Sequence, residues 1–199
     1  MGTLRGPAAA LAACAVMSAC GVSQDNDHAT TTSPAAAEET INPWDLPIEQ
    51  RPALFDPCAE IPIEAVEQGV GGPVEKVEEY TRHQPGGLMV CGWSSDEVDL
   101  SVLATWKSRD DYLGDAMFEV LDPRYEVMGR PGLRVVESDD LSEKTCIQML
   151  FTDRGTVWTK LDLFGAFHEF KGERFTDPCD SLDEAMGPIV ASLPKGDYQ

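Results

Sequence analysis

The chain has 199 residues, 42 % of them hydrophobic, which is enough for one domain with a full core and flanking segments. Its 35 Asp and Glu stand against 15 Lys and Arg, a formal charge of -20. That balance excludes a nucleic-acid partner, whose phosphates attract clusters of Lys and Arg, and excludes electrostatic adhesion to anionic lipid. The plain reading of the acidity is solubility; the sharper one is an acidic face for a cationic partner.

In chain order, a targeting segment comes first. One charged residue, Arg5, precedes an Ala-rich apolar run that is too short to span a ~30 Å bilayer core as a helix. A short basic start followed by such a run is the pattern of a secretory signal. Val16-Met17-Ser18-Ala19-Cys20 then resembles the lipobox of bacterial lipoproteins, in which the cysteine is diacylated and the chain is cut just before it. Met17 departs from the usual Leu. Leu11-Ala12-Ala13-Cys14 is the closer match by letters, but it leaves only about eight apolar residues after Arg5. The apolar run continues to Ala19, so lipidation is expected at Cys20, with Cys14 as the competing site and a plain secreted chain as the third reading. Two acyl chains anchor stably where one does not. The signal would occupy residues 1–19.

Residues 20–42 are small, polar and poor in aromatic side chains, and they cannot bury enough surface to offset ordering. They read as a tether, and twenty such residues reach on the order of 25 Å. His28 lies in it and is expected to be solvated.

Residues 43–199 read as the folded domain. Pro43 to Leu54 looks extended. Phe55-Asp56-Pro57-Cys58 opens a helical turn, because Asp suits the N-cap and Pro the first helical position. Pro62 interrupts it, and a helix through about Gln68 with Gly69 as its C-cap is predicted. Met89, Cys91 and Trp93 share one face of a strand. Val98, Leu100, Val102, Ala104 and Trp106 alternate along the next. Arg109 to Val120 reads as a helix, with Leu113, Met117 and Val120 on one side. Short strands are predicted at Arg124 to Val127 and Leu133 to Val136. Thr145 to Phe151 and Thr156 to Leu163 form a hairpin across Asp153-Arg154-Gly155. A second Asp-Pro-Cys at 177–179 starts a last helix, carried by Leu182, Ala185, Met186, Ile189, Val190 and Leu193 at helical spacing. Gly187-Pro188 is expected to kink or split it. The predicted class is α+β, a single domain of mainly antiparallel sheet packed by N-terminal, middle and C-terminal helices.

Cys58, Cys91, Cys146 and Cys179 remain, an even number, which in an exported chain reads as disulfides. Four cysteines allow three pairings. Cys58–Cys91 and Cys146–Cys179 are favoured, since each joins an Asp-Pro-Cys to a strand cysteine at a separation of 33 residues. A zinc site would call for close pairs such as C-x-x-C, and there are none.

Taken together, Phe55-Asp56-Pro57-Cys58, Cys91-Gly92-Trp93, Gly129-Arg130-Pro131, Cys146 opening a strand and the late Cys179 helix ending at Leu193-Pro194 resemble a family of actinobacterial exported lipoproteins, the domain of unknown function 3558 family. The likeness covers about residues 50–195. It implies a cell-envelope lipoprotein, lipid-anchored on the extracytoplasmic face, with two disulfides and no assigned activity. A looser likeness, in architecture and cysteine count, is to extracellular sensor domains of some mycobacterial Ser/Thr kinases, and it implies ligand sensing by analogy alone.

Catalytic motifs are missing from the sequence. It holds no nucleophile elbow, P-loop, dinucleotide-binding or calcium-loop pattern. His168-Glu169 begins like a zinc-protease helix but lacks the second histidine. His83 reads as a surface residue. Asp110-Asp111 and Asp139-Asp140 read as a helix start and a solvated loop. Neither enzymatic activity nor a cofactor or metal is expected. Trp93, Trp106 and Trp158 on strands read first as core, and alternatively as the lining of an apolar pocket between sheet and helices, with Trp44 over one end. Two functions follow: a tethered binding module for a small or amphipathic ligand, or an accessory lipoprotein that docks to another envelope protein and has no pocket.

Overall fold

Strand periodicity dominates the middle of the chain, and the computed structural model shows what it builds. The structure describes residues 41–140, 144–164, 169–174 and 177–198. Cys14, Cys20, His28 and His168 therefore lie outside the described residues. Thr40–Gln199 forms one compact unit.

The elements in order are α1 (Pro57–Glu60), α2 (Ile63–Val70), β1 (Glu75–Lys76), β2 (Arg82–Gln84), β3 (Leu88–Ser94) and β4 (Val98–Thr105). After these come α3 (Arg109–Leu113), β5 (Phe118–Asp122), β6 (Glu126–Val127), β7 (Arg130–Glu137), β8 (Thr145–Thr152) and β9 (Gly155–Leu163). The chain ends with β10 (Glu169–Phe170), β11 (Glu173–Arg174) and α4 (Pro178–Ile189). Nine strands form one sheet with the path β1-β3-β4-β9-β8-β7-β5; β2 also pairs with β3, and β6 with β7. Every pairing is antiparallel. Short strands blunt both edges, the usual protection against further pairing. The expected α+β class is the one observed.

One face of the sheet carries α1, α2 and α4. Met89, Cys91 and Trp93 on β3, and Val98, Leu100, Val102 and Ala104 on β4, point into this main core with Leu182, Ala185, Met186 and Ile189 of α4. Both disulfides pin a helix start to this face: Cys58–Cys91 holds α1 to β3, and Cys146–Cys179 holds β8 to α4. Asp56 and Asp177 each accept a hydrogen bond from the backbone N–H of the following cysteine, so both Asp-Pro-Cys copies are helix caps, as read. A smaller cluster of Tyr112, Leu133, Val135, Ile147, Met149 and Phe151 covers part of the other face. β8 is consequently buried on both sides along its whole length.

Four expectations need correction. The helix predicted over 109–120 ends at Leu113. Ser108 and Asp111 cap its start reciprocally, but Phe118–Asp122 pairs with β7 instead, and Met117 is 70 % exposed. The helical spacing there was coincidental, and long-range pairing overrides local preference. The cap of α2 is Gly71, at φ +83°, and not Gly69. Pro43 to Leu54 is not extended but forms two 3-10 turns, Pro43–Asp45 and Ile48–Gln50. Gly187-Pro188 does not split α4, which runs to Ile189 and tightens into a 3-10 turn over Val190–Ser192. Pro188 falls in its last turn, where the hydrogen bond it removes lies at the end of the helix rather than in its middle.

Candidate functional site

Strand alternation decides which residues face away from the helices. On β4 these include Asp99, Ser101 and Leu103; on β9 they are Trp158, Lys160 and Asp162. The register places Asp99 opposite Asp162, Ser101 opposite Lys160, and Leu103 opposite Trp158. The small second cluster covers the β5–β8 side of this face and leaves the β3–β4–β9 side open.

A hollow of about 600 Å3 lies there. Tyr80, Val90, Trp158 and Phe164 supply its apolar lining. Gly92 is what admits Tyr80: a Cβ at this position would lie 2.7 Å from the Tyr80 Cβ. In Cys91-Gly92-Trp93, then, Cys91 forms the bridge, Trp93 fills the core, and Gly92 lets an aromatic wall stand on the opposite face. Polar groups converge beside the aromatic ones. Lys160 donates to Glu137 Oε2 at 2.8 Å and lies 3.4 Å from Asp162 Oδ1, with its side chain only 17 % exposed.

Burial pushes the Asp162 carboxyl up; Lys160 pulls it down, Glu137 and Asp99 push it up again, and the balance lies above the ordinary value of 3.8. Burial opposes the Lys160 charge, but the hydrogen bond to Glu137 and the charges of Asp162 and Glu137 outweigh it and hold the ammonium above its usual range. The hollow is thus a charged patch half withdrawn from water next to an aromatic surface. Such a surface can hold a molecule with both polar and apolar parts. A larger hollow of about 740 Å3, beside Gly71 and Glu97, has no aromatic lining.

The family model described as "Protein of unknown function (DUF3558)" matches residues 9–192. The chain belongs to this family. No curated protein and no solved structure matches it. In this DUF3558 chain the Gly129-Arg130-Pro131 stretch is a turn plus a clasp, since Arg130 donates to the carbonyls of Pro194 and Gly196 and holds the segment after α4.

The three strand tryptophans separate. Trp93 is buried in the main core. Trp106 lies just past β4 and meets Trp44 edge-on, at 5.0 Å between ring centres. Trp44 donates its indole N–H to Thr152 O at 2.9 Å, and the Arg51 guanidinium stands 5.0 Å from the Trp106 ring. Only Trp158 lines the hollow on the sheet. The space between sheet and helices, where the alternative reading put an apolar pocket, is filled by the main core cluster.

Other candidates are accounted for structurally. His83 is exposed and 3.4 Å from Asp56. Asp111 caps α3, and the hydrogen bonds from Ser108 hold its carboxyl below the usual range. Asp140 accepts from the Thr145 N–H at 3.0 Å. Glu169–Phe170, which follows His168, is strand β10. Among the described residues no group of three His, Cys, Asp or Glu is placed to hold a metal, and no helix is long and apolar enough to cross a membrane.

Sequence reasoning missed Asp99, Lys160 and Asp162. Each occupies an outward position on an alternating strand, where a charge usually means solvent. The local signal was Trp158 on the same outward stripe of β9. What brings Asp99 there is the pairing of β4 with β9, which spans some 60 residues and leaves no local mark.

Proposed function

We propose that this chain is a lipid-anchored cell-envelope protein of actinobacterial type, held through Cys20 on the extracytoplasmic face. Its Thr40–Gln199 unit acts as a binding module for a small amphipathic molecule. One observation carries the binding reading: a half-buried Lys160–Glu137–Asp162 cluster lies beside Tyr80, Trp158 and Phe164 in one hollow, on the sheet face that the helices leave open. The aromatic side offers apolar contact, and the charged side offers orientation. The Arg5-to-Cys20 segment and the two disulfides support export and anchoring.

A second reading, docking to an envelope protein, draws on Met117 and Leu121, which are 70 % and 48 % exposed beside the β5 edge. Native mass spectrometry of residues 41–199, prepared in an oxidising compartment, separates the two. Bound extra mass, lost in Trp158→Leu, supports the module. A bare mass together with specific crosslinking at Met117 supports docking. Metabolic labelling with a fatty acid, abolished by Cys20→Ser and retained in Cys14→Ser, tests the anchor; the reverse pattern moves it to Cys14.

A further inference from the structure

We infer that the hollow on the open sheet face takes an amphipathic organic cation, a primary ammonium or guanidinium carried on an apolar body. The inference rests on the binding-module reading and names its ligand class.

Asp99 and Asp162 are direct cross-strand partners, a placement that destabilises a sheet when both carry charge. Lys160 serves Glu137 and Asp162 and makes no hydrogen bond to Asp99. Asp99 Oδ1 is out of contact with water and has no hydrogen-bond partner among the described residues. A buried acceptor left unpaired is uncommon and costly. Asp99 lines the hollow, so a donor bound there would meet a carboxylate whose Oδ1 is not already paired.

Charge points the same way. Glu79, Asp99, Glu137 and Asp162 line the hollow against Arg82 and Lys160. Arg82 spends its guanidinium at the rim, donating to the carbonyls of Glu79 and Thr81. The surplus is negative, which disfavours an anionic ligand. A bare metal ion is poorly served, because no set of three ligating side chains converges among the described residues. Tyr80, Trp158 and Phe164 give the hollow an aromatic lining, and aromatic rings attract organic cations and cover an apolar body.

The test uses the Thr40–Gln199 unit, which contains both disulfides and both core clusters. Calorimetry and tryptophan fluorescence compare octylammonium, octanoate and octyl glucoside, which share one chain length. Octylammonium is expected to bind about tenfold more tightly than either of the others. Asp99→Asn should erase that preference while leaving the weak binding of octyl glucoside in place. Asp162→Asn serves the same purpose if Asp99→Asn does not fold. Equal binding of the three probes, or a preference for octanoate, overturns the cation assignment and leaves the binding module standing. A preference that survives both variants reports only the general acidity of the chain and also overturns the assignment. Failure of all three probes to bind counts against the binding module itself.

Discussion

At Asp162 the fold works against a charge it keeps. The burial and carboxylate neighbours that raise its pKa make the folded chain hold this proton more tightly than the unfolded chain does. Its contribution to stability is therefore complete below the ordinary carboxyl value of 3.8 and is lost as pH rises through the raised value. Asp162→Asn removes that loss, and Lys160 keeps Glu137 as its partner. Asp162→Asn should raise the melting midpoint at pH 7 by on the order of 1–2 °C, and the gain should shrink as pH falls toward 4. Thermal melts at both pH values check this, and a variant less stable at pH 7 refutes it. A residue that weakens its own domain at neutral pH is the kind that binding sites retain.

Elements were legible where pattern and environment agree. The alternation on β4 and the spacing on α4 each face one continuous core, so the local period reports the tertiary surface. The pattern misled at 109–120, where a five-residue helix hands over to an edge strand. It also misassigned the two glycines of α2. Gly71 ends the helix, while Gly69 lets α2 approach α4: a Cβ there would lie 2.5 Å from Ala185 O and 3.3 Å from Ile189 Cδ1. Gly69→Ala should cost about 2 kcal/mol, or roughly 4–8 °C in midpoint. Gly72→Ala, whose Cβ meets nothing within 4 Å, should be nearly neutral. Equal midpoints for the two variants would mean that the helices can part at little cost. The site on the sheet was not legible, because strands order themselves by pairing and the β4–β9 partnership is visible only in the assembled sheet.

Across the whole molecule, the two bridges differ in access. Cys58 is half-buried beside a hollow of about 270 Å3 that Lys76, Arg82 and His83 also line. Cys146 and Cys179 are 0 % and 2 % exposed. Thiol exchange needs an approach to one sulfur, and Lys76 and Arg82 outweigh the single carboxylate of Asp56 in that lining, which favours the thiolate. Mild reduction should therefore open Cys58–Cys91 first. Differential alkylation with peptide mass mapping reads the order, and prior loss of Cys146–Cys179 contradicts it. In the loop-entropy treatment each bridge contributes roughly 3–4 kcal/mol, so full reduction should lower the midpoint well beyond any single substitution above.

The sheet's central seam has one more consequence. β4 and β9 meet there from distant parts of the chain, yet no disulfide crosses the seam, and each bridge closes on its own side. The first cysteine of the domain bonds the second, and the third bonds the fourth. As the chain emerges N-terminus first, Cys58 and Cys91 can pair before Cys146 is present to compete. Among these four cysteines, an oxidase that acts on thiols in their order of appearance makes the native pairs directly, with no wrong bond between them for an isomerase to undo.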